Sequence, residues 1–121
     1  MIFSGNFISK NILNSYENLE FFVNLLNSTK NFIGYDLLPQ HKKSIVNILE
    51  SRNKNILAIG DGTNDISMLK TSTIGVAVKY KNNQDVLESS DITLDKFKYL
   101  REFYNYSLSS YIKNIICSEF V

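Results

Sequence analysis

The sequence predicts an α/β fold, and three observations carry that prediction. Short apolar runs end in glycine or polar residues, as buried strands do. Between them lie stretches whose apolar residues recur three and four apart, as in amphipathic helices. The two patterns alternate along the chain, which requires a parallel sheet covered by helices.

In chain order, the helical pattern comes first at Glu17–Ser28, where Leu19, Phe22, Val23 and Leu26 fall on one stripe. Asn31–Tyr35 (NFIGY) reads as a weaker strand. Gln40–Ser51 repeats the helical spacing through Ile45, Ile48 and Leu49. Pro39 stands just before it, where its fixed φ is tolerated. Asn55–Ile59 (NILAI), ended by Gly60, suits a buried strand, as does Ile74–Val78 (IGVAV), and Ile92–Leu94 is a short further one. From Lys96 to about Ser118, the residues Phe97, Leu100, Tyr104, Leu108, Tyr111 and Ile115 make one stripe. That predicts a long amphipathic C-terminal helix. No linker, repeat or low-complexity run divides the chain, so one domain with a long terminal helix is expected.

Composition narrows the function classes. At 121 residues and 44% hydrophobic content, the chain can bury one core. A formal net charge of +1 gives no field that would favour nucleic acid or an anionic membrane. Cys117 is the only cysteine, which excludes an internal disulfide or a multi-cysteine zinc site and fits a reducing compartment. It is expected to be a small buried apolar residue. His41 is the only histidine; neither a histidine-dependent triad nor a multi-histidine metal site is expected, and His41 is expected at the surface. The start, MIFSGNFISKNIL, lacks a basic leader, and no run of ~18 apolar residues predicts a membrane span.

The chemistry concentrates in Ala58–Leu69, AIGDGTNDISML. In a parallel α/β sheet, ligands bind beyond the carboxyl ends of the strands. Gly60 and Gly62 allow a sharp turn and a close ligand approach. Thr63 or Asn64 could cap the next helix and leave backbone N–H groups facing an anion. Asp61 and Asp65 would then share one crevice, where two carboxylates repel unless a cation lies between them. Mg²⁺ suits such a place, held by one or two carboxylates, waters and a phosphate. Taken singly, each residue also suits an ordinary turn and helix start.

GDGTNDISML resembles the GDGxNDxxML segment of haloacid-dehalogenase-type phosphotransferases, above all P-type ATPases. LLPQHKKSIVNIL is similar to the Pro-x-x-Lys segment that precedes it there. IGVAV and LESSDITLDKFKYL are similar to the region that follows it in the phospholipid-transporting branch, the lipid flippases. The likeness runs through roughly residues 33–111, and more loosely through 4–31. It implies a partial haloacid-dehalogenase-like, Rossmann-like parallel sheet. Residues 1–95 would be the C-terminal half of a phosphorylation domain. Residues 96–121 would be a stalk-like amphipathic helix leading toward an absent membrane helix.

By the same resemblance, Asp61 holds Mg²⁺, and Asp65 supports that site or binds directly. Lys42 neutralises the transferring phosphoryl group, and Asn64 contacts it or fixes the ligands. Gly60, Gly62 and Thr63 form the phosphate-facing loop. ATP would be bound by the complete protein, on the cytosolic side of a membrane whose phospholipid it moves. The family's Asp-Lys-Thr-Gly-Thr segment does not occur in this chain, and Asp91-Ile-Thr93 belongs to the Ser-Ser-Asp region instead. A fragment is therefore implied, dependent on the missing N-terminal half of the same domain and inactive alone. The alternatives are a soluble phosphatase of the same superfamily, and a truncated copy that only binds Mg²⁺.

Overall fold

The structure is a computed structural model that describes residues 1–29, 31–52, 54–107 and 114–117. Strand β1 (Ile2–Ser4) opens the chain. A helical turn, α1 (Gly5–Phe7), follows it and widens into a π-helical turn over Ile8–Ile12. Ser15 Oγ accepts the Asn18 N–H and so starts α2 (Tyr16–Ser28), which leads to β2 (Ile33–Tyr35). Helix α3 (Pro39–Glu50) begins on its proline and precedes β3 (Ile56–Gly60). Beyond a 3₁₀ turn at Thr63–Asp65 lie α4 (Ile66–Thr71), β4 (Ile74–Val78), α5 (Gln84–Glu88) and β5 (Ile92–Leu94). A second 3₁₀ turn, Phe97–Tyr99, enters α6 (Leu100–Ser107), and β6 (Asn114–Cys117) is the last described element.

Among the described residues, every strand pairing is parallel. β1 and β2 form one small sheet, and the other four strands form a second in the order β5-β4-β3-β6. Helices α2, α3 and α4 contribute to one core, which the sheet enters with Ile56, Ala58 and Ala77. The alternate residues Leu57, Ile59 and Val76 face the other way, against Ile92, Leu94, Phe97 and Leu100. This period of two splits each strand between two layers. β3 is covered on both faces, and all five of its residues are buried. That explains its continuous apolar run, since a two-sided parallel strand has no solvent face to make polar.

The close approach of α4 to β4 depends on Gly75. A Cβ there would stand 2.5 Å from the Leu69 carbonyl oxygen, inside contact distance. At the other end of β3, Thr73 Oγ1 accepts the Ile56 N–H at 2.9 Å and donates to Glu50 at 2.7 Å. The end of α3 is thereby fixed to the start of β3. Arg52 and Glu20 form a further ion pair that ties the end of α3 to α2.

The C-terminal segment departs from expectation. Of the helix predicted over 96–118, the described residues show a 3₁₀ turn and α6, but Asn114–Cys117 is a strand on β3. Its register sets Ile56 beside Asn114 and Ile59 beside Cys117. The physical reason is the second edge of β3, which has ladder groups to satisfy. The β-branched pair Ile115–Ile116 suits that edge. Phe97 and Leu100 do pack on the sheet, whereas Leu108 and Tyr111 lie outside the described residues. Cys117 is half-buried against Leu57, Ile59 and Val76. Among the described residues, no helix is long and apolar enough to cross a membrane.

Candidate active site

The acidic turn lies where the carboxyl end of β3 gives way to α4. Its organiser is Asp65, whose side chain has 0% exposure. Asp65 Oδ1 receives the Lys42 ammonium at 2.8 Å. Oδ2 accepts the Gly62 N–H at 3.2 Å and the Asp61 N–H at 3.3 Å. Charge-assisted bonds of this kind are the strong ones, and here they bend the loop around a single carboxylate. Gly60 leaves the room for it, since a Cβ there would stand 2.6 Å from the Asp65 side chain. A Cβ on Gly62 would meet Asn64 Oδ1 at 2.7 Å.

Neither Thr63 nor Asn64 caps the following helix, contrary to expectation. The 3₁₀ turn intervenes, Gly62 precedes it, and the backbone donors of the loop go to Asp65. Thr63 and Asn64 are exposed at the rim. Lys42 extends from the first turn of α3, with 13% side-chain exposure, so one helix supplies the cation and the neighbouring loop supplies the acids.

Asp61 differs from Asp65 in being half-exposed. Burial pushes its carboxyl above the ordinary range, and the neighbouring Asp65 pushes it further. A backbone N–H and Lys42 oppose the rise. The turn therefore holds one committed carboxylate and one electrostatically frustrated carboxylate. A divalent cation at Asp61 would relieve that frustration, so the donor chemistry fits Mg²⁺. Among the described residues, no three His, Cys, Asp or Glu side chains gather into a metal cage. Such an ion would thus rest on Asp61, waters and a phosphate, which is the habit of Mg²⁺.

Two residues near this site were not legible in the sequence. His41, expected at the surface, is 3% exposed. Its Nδ1 lies 3.0 Å from the Leu38 N–H, which can only donate, and its Nε2 lies 2.5 Å from Ser9 Oγ. In the neutral ring Nε2 therefore carries the proton and donates to Ser9. Ser9 receives no base from it, which removes a serine–histidine nucleophile from consideration. The imidazole instead fixes the start of α3, one residue before Lys42, to the amino-terminal turn. The other residue is Asn83, whose amide donates to the Asp61 carbonyl oxygen at 3.0 Å.

Asp91, in the Ser-Ser-Asp segment, has a structural place. Its carboxylate accepts the Gly75 N–H at 2.7 Å, and its own N–H donates to the Gly75 carbonyl at 2.8 Å. It thereby joins the start of β5 to β4, away from the acidic turn.

The sequence that builds this sheet, acidic loop and reaching lysine is similar to that of known proteins. The sequence model described as haloacid dehalogenase-like hydrolase matches residues 41–103, just over half the chain. The chain belongs to that family. The haloacid dehalogenase-like segment holds Lys42, both aspartates, Asn64, Asn83 and Asp91. Among curated proteins, the chain is similar to phospholipid-transporting ATPase IC of Homo sapiens, at 36% identity over 81 residues. That match covers 66% of this chain and 6% of the relative. It is also similar to phospholipid-transporting ATPase 10 of Arabidopsis thaliana, at 32% identity over 100 residues, or 79% of this chain and 8% of the relative. The chain thus spans less than a tenth of the length of these relatives.

Proposed function

We propose that this chain is the Mg²⁺-dependent part of a P-type ATPase phosphorylation domain, from a protein that moves phospholipid across a membrane. One observation carries the reading. Lys42 reaches the acidic turn and bonds to Asp65, leaving Asp61 as the half-exposed carboxylate at a strand end. The likeness to phospholipid-transporting ATPases supports it.

In this role Asp61 holds the cation, and Asp65 keeps the loop in shape. Bound Mg²⁺ would supply countercharge to a phosphoryl group. Lys42 adds positive charge beside that group, while Asn64 and Thr63 stand at the rim to meet its oxygens. Gly60 and Gly62 let the backbone come close. Phosphoryl transfer is catalysed mainly by such positioning and charge compensation. The nucleophilic aspartate and the ATP site would come from sequence outside this chain, and residues 1–95 would act with that remaining half. The exposed apolar face of β1 and β2, formed by Ile2, Ile33 and Tyr35, supports a partner segment there. The parent would sit in a membrane with this segment on the cytosolic side.

Asp61→Ala in the complete protein is expected to abolish acid-stable phosphoenzyme formation from radiolabelled ATP. Phosphoenzyme at the wild-type level would overturn the assignment. For the chain alone, the same reading expects no ATP or sugar-phosphate turnover, yet a melting temperature that rises with Mg²⁺.

A further inference from the structure

We propose that Asn83 is the positioning residue for Asp61, locking the acidic loop to the neighbouring loop between β4 and α5. The inference rests on reading Asp61 as the metal-facing carboxylate. The side-chain amide of Asn83 donates twice, to the Asp61 carbonyl oxygen at 3.0 Å and to the Val78 carbonyl oxygen at 2.9 Å. Its Oδ1 accepts the Tyr80 N–H at 3.1 Å. Two carbonyl acceptors and one N–H donor leave the amide a single orientation.

Asn83 gives up an ordinary role to do this. It is the residue preceding α5, where an asparagine side chain usually accepts an N–H from the first helical turn. Here the side chain makes no such bond; the Asn83 carbonyl receives the Val86 and Leu87 N–H groups, and Asp85 Oδ1 also accepts the Val86 N–H. The loop is bent for the purpose as well. Lys81 has φ 42°, a left-handed conformation that side-chain-bearing residues seldom adopt. The kink lets residues 80 and 83 face each other across the turn.

The consequence is a division of labour around Asp61. Asp65 holds the Asp61 N–H, and Asn83 holds the Asp61 carbonyl, so both peptide groups flanking that α-carbon are pinned. A half-exposed carboxylate on a pinned α-carbon can reorient only through its own side-chain torsions. That is the preorganisation a metal ligand needs, and partners of this kind typically govern metal affinity by about 10–100-fold.

The test uses the 121-residue chain with Asn83→Asp and Asn83→Ala. Asn83→Asp keeps the shape and the acceptor but removes both donated bonds. Amide hydrogen exchange would be followed at Asp61 and Gly62, with Val46 in the core of α3 as the control. Faster exchange at Asp61 and Gly62 in both variants, with Val46 unchanged, is expected. Exchange at Asp61 and Gly62 equal to wild type in Asn83→Asp would overturn the proposal. In parallel, calorimetric titration with Mg²⁺ should show affinity falling tenfold or more in both variants, and binding lost in Asp61→Asn. If the wild-type chain gives no Asp61-dependent Mg²⁺ heat, the metal reading fails, and the exchange data still decide the role of Asn83.

Discussion

Asp61 and Asp65 are four residues apart yet in opposite electrostatic positions. Asp65 is buried but paired with Lys42 and two N–H groups, whereas Asp61 carries a proton affinity raised by burial and by Asp65. A carboxyl whose folded pKa lies above its unfolded value binds protons more tightly when native. Its contribution to stability is therefore present at acid pH and is lost as pH rises through the carboxylate range. Above that range the ionised Asp61 destabilises the fold unless a cation is present. Asp61→Asn is thus expected to raise the melting temperature at pH 7 in EDTA. The advantage should shrink as pH falls below the carboxylate range, and Mg²⁺ should stabilise the wild type alone. Melting curves across pH, with and without Mg²⁺, read this directly, and an Asp61→Asn chain less stable at neutral pH would contradict it. The site trades stability for a waiting charge, as ligand sites often do.

Gly75 sets the spacing of an element pair. Gly75→Ala places a methyl group 2.5 Å from the backbone oxygen of Leu69, where neither partner is a side chain that can swing away. A loss of about 2 kcal/mol in urea unfolding is expected from such overpacking, and a neutral result would show that α4 yields. Elements of this kind also show what the sequence made legible. β3 and β4 were visible because a strand covered on both faces is a plain apolar run, and α2 and α3 because one apolar stripe repeats. β1 was not, since Ile2–Ser4 runs directly into the helical turn α1 with no intervening turn to mark its end. β6 was read as helix because Ile115 continues the spacing that starts at Phe97, and periodicity carries no information about an edge on β3. The acidic turn was legible as a contiguous string. His41 and Asn83 were not, because Ser9 lies 32 residues from His41, and Asp61 lies 22 from Asn83. No local pattern encodes such bonds.

The molecule as a whole keeps an apolar surface open. Ile2 is 71% exposed, and Ile33 and Tyr35 of the adjoining strand are exposed too. A two-stranded sheet with a bare apolar face is a poor end state in water. The isolated chain is therefore expected to self-associate in size-exclusion chromatography at micromolar concentration. A monodisperse monomer would count against a surface that belongs under a partner segment. The pairing of β3 has a consequence during synthesis. One of its neighbours, β4, follows soon after it, but the other, β6, is made only after residues 79–113 have emerged. Until then the central strand offers a row of unpaired N–H and C=O groups to any other nascent chain. Closing so long a loop is slow compared with forming a helix, so translation speed decides how long that interval lasts. Clustered slow codons just before residue 114 would lengthen it, and a chaperone that shields strand edges would be needed most at that moment.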